Sequence, residues 1–377
     1  MESDFLAQIT AFSKKNPHPS VPLGIGDDAA VLKRFERNPV VTVDMLMDGT
    51  DFLLDELEPQ LVGRKALAVN LSDIAAMAAR PVAALVAVAL PQNGVPFHKK
   101  LLRPIESLEL AQLILSGIRS LADDFSVAIA GGDTNTWNSP LAISITMIGE
   151  ATSRGVLRRD AVLYDSVTGR GDAIWVTGTL GGSILAHHYA FTPRIHEAVW
   201  LHEHTPVHAA MDISDGLSLD LSRLAMASGC GIIVDLDAIP IANDAYRLAK
   251  KDGRSPLQHA LSDGEDFELI LAMDPDWDKS KLGLENDETI FAKADAVDSL
   301  SQTVSDISAE SNLSVSHPSV LHVPSISRTS IRSVPLIPCV SQNVPLTRIG
   351  TVCAEPGLWT RMSDGTLQPL KPEGWLH

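Results

Sequence analysis

Cysteine is almost missing from these 377 residues: Cys230, Cys339 and Cys353 lie far apart and form no CxxC pair. That excludes a disulfide framework, a zinc ribbon and a thiol redox motif, and a reducing cytoplasm is expected. Positive charge is scarce too, with 30 Lys and Arg against 47 Asp and Glu and a formal charge of −17. A phosphate backbone or an anionic lipid surface would be repelled, so neither a nucleic-acid nor a membrane partner is expected. A phosphorylated substrate would meet the same repulsion, and its site must import positive charge, most simply as divalent cations. The most apolar stretch, Leu67 to Leu90, is interrupted by Asn70, Asp73, Arg80 and Pro81. It reads as a helix, a turn and a buried strand, which excludes a membrane span. Met1 to Lys15, a weakly amphipathic helix candidate, lacks the features of a secretion signal, so export is not expected.

Common catalytic and phosphate-binding signatures are also missing. There is no GxxxxGK[ST], and Gly24-Ile25-Gly26 runs into Asp27-Asp28 instead of completing a dinucleotide fingerprint. Asp212-Ile213-Ser214-Asp215-Gly216 lacks the first glycine of a serine nucleophile elbow, and its acidic neighbours would oppose an alkoxide.

What remains is an alternation of β-branched runs and helical patterns, which predicts an α/β (α+β) fold with length for about two domains. Strands are expected at Val40–Val43, Val82–Leu90, Val127–Ala130 and Leu141–Ile148, with helices at Leu61–Ala79 and Leu108–Ala122. The polar stretch Arg154–Arg170 interrupts this pattern, placing the domain boundary near residue 150 and dividing the chain into 1–150 and 151–377. The second part continues with strand Asp172–Thr177, helix Leu217–Ser228, strand Gly231–Leu236 and strand Phe267–Met273. Asp298–Asn343 has 13 serines and four prolines in 46 residues and no aromatic residue, and is expected to be a disordered or poorly packed insertion.

Acidic clusters stand at expected turns beside apolar runs: Gly26-Asp27-Asp28, Thr42-Val43-Asp44, Ser72-Asp73, Gly131-Gly132-Asp133, Asp212 to Asp215, and Asp263 to Asp266. Singly, each is most simply a cap or turn. Jointly they are different, because converging carboxylates repel by about 4 kcal/mol per pair at 4 Å with an effective dielectric near 20. Hard cations with oxygen ligands are the natural partners, and Mg²⁺ completes its shell with phosphate oxygens. A nucleotide site built on metals is therefore expected. Gly178–Gly182 is expected to be a tight connection with at most a supporting role. His196, His202, His204 and His208 match no zinc spacing and are expected as solvated helix and linker histidines. Asp235-Leu236-Asp237 departs from an aspartyl-phosphate motif at Ile239 and Pro240.

In this order the clusters resemble the motif series of the thiamine-monophosphate kinase family, within the aminoimidazole-ribonucleotide-synthetase-like superfamily. The series is GIGDDAAVL (24–32), VTVDMLMDGTDF (41–52), AVNLSDIAAMAARP (68–81), AGGDT (130–134), MDISDGLSLDL (211–221), VDLDAIPI (234–241) and SDGEDFEL (262–269), with a closing GWLH at 374–377. The resemblance implies ATP-dependent phosphorylation of thiamine monophosphate to thiamine diphosphate. It also implies an N-terminal domain that dimerises through its sheet into a homodimer and a C-terminal α/β domain that closes over the nucleotide. Residue by residue, it implies Mg²⁺ sites at Asp28, Thr42, Val43, Asp44, Asp73, Asp133, Asp212 and Asp215. It implies nucleotide contacts at Gly132, Asp133, Arg159 and Ser214, and substrate contacts at Asp51, Glu265 and Trp375. Two positions depart from the family pattern. Val43 replaces a usual threonine, so only its carbonyl can serve a metal, and Asp51 replaces a usual histidine, adding negative charge where the substrate phosphate is expected. Another ATP-using member of the superfamily, or a catalytically impaired nucleotide-binding module, are the alternative readings.

Overall fold

The structure is a computed structural model that describes residues 9–11, 15, 17–278, 344–362 and 364–374. The serine-rich segment Asp298–Asn343, Trp375 and most of the Met1–Lys15 helix candidate lie outside the described residues. The first part of the chain forms β1 (Pro39–Met47), α1 (Pro59–Ala76), β2 (Arg80–Pro91), β3 (Val95–His98), β4 (Arg103–Ile105), α2 (Ser107–Asp124), β5 (Ala128–Trp137) and β6 (Ala142–Glu150). Four of these strands make one sheet in the order β1-β6-β2-β5, antiparallel except for the β2–β5 pair. After the hairpin β7 (Tyr164–Asp165) and β8 (Arg170–Gly171) come β9 (Ala173–Thr177), α3 (His187–Ala190), α4 (Ile195–His204), β10 (Val207–Asp212), α5 (Leu217–Ser228) and β11 (Gly231–Val234). These are followed by α6 (Asn243–Asp252), α7 (Pro256–Ser262), β12 (Leu269–Met273), β13 (Leu346–Cys353), β14 (Gly357–Arg361) and β15 (Leu367–Pro369). Seven strands form a second sheet, β10-β12-β9-β13-β11-β14-β15.

The patterns explain the layers. In β6, Ile143, Ile145 and Met147 are buried while Ser144 and Thr146 alternate to the other face. In α2, Leu110, Ile114, Ile118 and Leu121 recur at helical spacing and face inward. Helix α1 is buried on almost every side, because its small residues let it lie between α2, the first sheet and the second part of the chain. The approach to α2 is so close that a Cβ on Gly117 would come within 1.8 Å of the Gln60 carbonyl oxygen. One apolar cluster runs from the first sheet through α1 to Trp175, Leu269 and Leu271, on one face of the second sheet. The other face, with Ile174, Val176 and Ile270, packs on α5 through Leu221 and Leu224. Strands β9 and β12 are buried throughout, as continuous apolar runs in the centre of a doubly covered sheet should be.

Two expectations about local structure are corrected. Val127–Ala130 was expected to end at a Gly131 turn, yet β5 continues to Trp137 because β2 supplies a parallel partner along that length. Gly132, at φ +154, permits this, since a Cβ there would meet the Val86 carbonyl oxygen at 1.8 Å. Thr42-Val43-Asp44 likewise sits inside a strand and not at a turn, because β1 pairs with β6 without interruption from Pro39 to Met47.

Candidate active site

Helix α1 carries Lys65, Ser72 and Asp73, and each of them meets another element. Thr42 on β1 donates its hydroxyl to Asp73. Ser72 donates to Asp212 Oδ2 at 2.8 Å, joining α1 to the end of β10 in the second sheet. Lys65 reaches Glu265 Oε1 at 2.6 Å. Asp44, Asp73 and Asp212 thereby share one region with Thr42 and Ser72.

Its electrostatics are those of crowded, poorly solvated anions. Burial, reinforced by Asp73 and Asp51, pushes the Asp44 carboxyl up to about 7. Burial and the Asp73 charge push Asp212 up to about 7 against the Ser72 hydrogen bond. Asp73 is raised by burial, while the Thr42 hydroxyl and the Arg159 guanidinium pull it down. Arg159, in a single turn at Arg159–Ala161, acts on Asp212 in the same sense. Asp44 Oδ2 is buried without a hydrogen-bond partner. The donor set is oxygen alone and its excess charge is negative, which fits a hard divalent cation and excludes a soft-metal preference. Among the described residues, no three His, Cys, Asp or Glu side chains already stand as a metal-holding group.

Asp28 and Asp133 are elsewhere in the same chain. They line an open cleft of about 730 Å³ with Gly26, Gly131, Gly132 and apolar side chains such as Ile114, and none of Asp44, Asp73 or Asp212 borders it. Asp44 lies on β1 and Asp133 on β5, the opposite edges of a four-stranded sheet. Three strand spacings of roughly 4.8 Å put about 14 Å between those edges. The Val43 side chain is 60% exposed on the sheet face away from the helices, whereas Thr42 and Asp44 belong to the opposite set of β1 residues. Asp215 is held by Arg223 from α5, which also bonds Asp220.

The loops carrying Ser214 and Glu265 are zipped together. Ile213 N–H donates to the Glu268 carbonyl, Phe267 N–H to that of Ile213, and Glu265 N–H to that of Ser214 at 2.7 Å. Glu265 and Phe267 adopt φ of +54 and +48, strained values for side-chain-bearing residues. Asp51 caps the end of β1, its Oδ2 accepting from Met47 N–H at 2.7 Å. The expectation of solvated histidines fails at His202, which is buried and paired with Thr152, because α4 packs into the junction between the sheets. His208 pairs with Asp172 at 2.9 Å. Sequence reasoning missed the roles of Lys65, Ser72, His188 and Arg223. A signal existed for the first two, since a lone lysine in an apolar helix lies seven residues before Ser72 and so on nearly the same face.

Residues 26–151 match the model of AIR synthase related protein, N-terminal domain, and residues 169–293 match that of its C-terminal domain. The thiamine-monophosphate kinase of Rhodopirellula baltica is 35% identical over 385 residues, spanning 100% of this chain and 97% of that relative. The one from Salmonella typhimurium is 33% identical over 275 residues, spanning 67% of this chain and 77% of its own length. Among solved structures, a thiamine-monophosphate kinase from Stenotrophomonas maltophilia superposes with a TM-score of 0.63 at 28% identity, covering 96% of both chains. AaThiL complexed with AMPPCP and TMP shares the fold, with a TM-score of 0.63 at 22% identity over 98% of this chain and 95% of that one.

Proposed function

The chain belongs to the AIR synthase related family, among its thiamine-monophosphate kinases, and from that membership we propose how its two acidic regions serve one phosphoryl transfer. The reaction is ATP-dependent phosphorylation of thiamine monophosphate to thiamine diphosphate. The transfer is direct: an oxygen of the monophosphate attacks the γ-phosphorus of ATP, and ADP leaves. That oxygen is already an oxyanion, so no side chain has to act as a base, and the protein's task reduces to alignment and charge neutralisation.

The observation that carries this reading is the oxygen-only set of the half-buried Asp44 and Asp73 and the buried Asp212, closed from both sheets by the Ser72–Asp212 hydrogen bond. Asp44, Asp73 and Asp212, with Thr42 and the Val43 carbonyl, would hold Mg²⁺ there, and Asp28 and Asp133 would complete the set. When bound, Mg²⁺ supplies the positive charge that lets two anions approach. Asp215 already has the Arg223 guanidinium as its cation. Gly132, Asp133, Ser214 and Arg159 serve the nucleotide. Glu265 and Asp51 face the substrate, and Trp375 is assigned to it from the sequence motif.

The two regions meet in a homodimer. Val41, Val43 and Met45 are 63%, 60% and 60% exposed on the outer face of the first sheet, and Leu85 of β2 shares that face. Two such sheets closing into a barrel would bury these side chains and remove both open edges. With β1 of one subunit beside β5 of its partner, Asp44 and Asp133 would come from different subunits to one site. Residues 1–150 then form the dimerising, metal-binding domain and residues 151–377 the domain that closes the site. No described helix is long and apolar enough to cross a membrane, and the few cysteines support a cytoplasmic location.

Incubation of the purified protein with ATP, Mg²⁺ and thiamine monophosphate should yield thiamine diphosphate, with no acid-quench-stable phosphate on the protein. A labelled acyl-phosphate would overturn direct transfer. ATP binding without turnover would make the chain the impaired module that Asp51 suggests.

A further inference from the structure

Lys65 is fully buried, an expensive position for an ammonium that requires several partners. It has three, from three separate segments. Nζ donates to the Asp51 carbonyl at 2.7 Å, to His188 Nδ1 at 3.0 Å and to Glu265 Oε1 at 2.6 Å. Because Nδ1 accepts from an ammonium, the ring hydrogen of His188 sits on Nε2. Burial and the Lys65 charge also push His188 down to about 3, so the ring is neutral. Glu265 meets the ammonium through Oε1, while its Oε2 lies 3.5 Å from His188 Nδ1, so carboxylate, imidazole and ammonium form one compact cluster.

We propose that Lys65 is a positioning residue for the thiamine end of the substrate, fixing Glu265 and the Asp51 turn in register across the junction between the two sheets. This rests on the reading of Glu265 as the thiamine contact. Glu265 has a strained backbone at φ +54 and keeps a 30% exposed side chain, so its backbone alone does not fix the carboxylate. Lys65 supplies the restraint from a rigid helix. The Asp51 turn, which follows β1 and its Asp44, is held through its main chain and so keeps the same anchor whatever side chain stands at position 51. Lys65 touches neither the nucleotide motifs at 131–133 nor Arg159, so its influence is confined to one substrate.

The test is steady-state kinetics of the full-length chain carrying Lys65→Met, alone and combined with Glu265→Gln. The single variant should raise KM for thiamine monophosphate about tenfold or more while KM for ATP stays within about twofold. In the Glu265→Gln background the same change should add less than about twofold, because the lysine acts through the carboxylate. Equal rises in both KM values, or full additivity in the double variant, would overturn the assignment. If Lys65→Met does not fold, Lys65→Gln, which retains donors for the Asp51 carbonyl, decides by the same criteria. Failure of both to fold would make Lys65 a folding element and sink the proposal. Wild-type protein is the control: without turnover of thiamine monophosphate the functional reading itself falls, whereas turnover with unchanged Lys65 variants removes only this inference.

Discussion

Ser72 Oγ stands 2.8 Å from Asp212 Oδ2, both residues almost fully buried, and this hydrogen bond joins the helix beneath the first sheet to the last residue of β10 in the second. The contact does two jobs. It donates to one oxygen of a carboxyl that burial pushes toward its neutral form, and it ties the helix that carries Asp73 to the strand that carries Asp212.

Ser72→Ala should therefore cost about 1–3 kcal/mol of stability, the usual result of leaving a buried polar group without its partner. Urea unfolding would measure it. Activity should suffer in kcat more than in either KM, because the substrates still bind their own halves while alignment between the halves is lost. An active variant with only the stability loss would show that the bond is structural alone.

The acidic cluster sets a pH dependence whose sign follows from its shifts. Asp44 and Asp212 rise from 3.8 to about 7 in the folded protein, so the folded state holds more protons than the unfolded state between those values. Metal-free stability should fall as pH climbs through this window, and the penalty should be complete above it. Thermal melting without metal is expected to be lower at pH 8 than at pH 6. Mg²⁺ should raise the melting temperature more at pH 8, where protons no longer compete for the carboxylates. Asp44→Asn should flatten both trends, and a metal effect independent of pH would count against ion binding at this cluster.

The separation of Asp44 from Asp133 on opposite sheet edges makes subunit sharing testable. Asp44→Asn and Asp133→Asn homodimers should each be inactive. Unfolded together and refolded, they should regain about a quarter of wild-type activity, since half of the randomly paired dimers carry one site with both aspartates. No recovery would place each site within a single chain. Val43→Asp, on the exposed apolar face, should give a monomer by light scattering and abolish turnover.

Much of this arrangement was legible in residue order. Helix Leu217–Ser228 matches α5 to the residue, and the alternation of β6 and the helical period of α2 disclosed which faces are buried. The carboxylate motifs set the expectation of a cation-dependent chemistry, because anions spaced through a chain poor in lysine and arginine call for cations. Strand lengths were less legible. Glycine and aspartate at 131–133 are ordinary turn residues, and only the presence of β2 alongside makes them a strand. Nor does spacing reveal that Asp44 and Asp133 occupy opposite edges, which depends on the strand order β1-β6-β2-β5. Arg223 was overlooked as the partner of Asp215 because an eight-residue interval says nothing until the loop folds back on α5.

Asp51 poses the remaining question of substrate preference. Its carboxylate caps β1 through Met47 and raises Asp44, so its negative charge acts on the acidic cluster. A second anion about 7 Å away feels roughly 2 kcal/mol of repulsion at an effective dielectric near 20, enough for a KM change of ten- to thirtyfold. Asp51→His removes that charge and leaves the carbonyl that holds Lys65 in place. KM for thiamine monophosphate should fall, while inhibition by thiamine, which has no phosphate, should change little or weaken. Asp51→Asn should reproduce the fall without an imidazole, separating charge from ring chemistry. A rise in KM with both variants would show instead that the carboxylate attracts the cationic ring more strongly than it repels the phosphate.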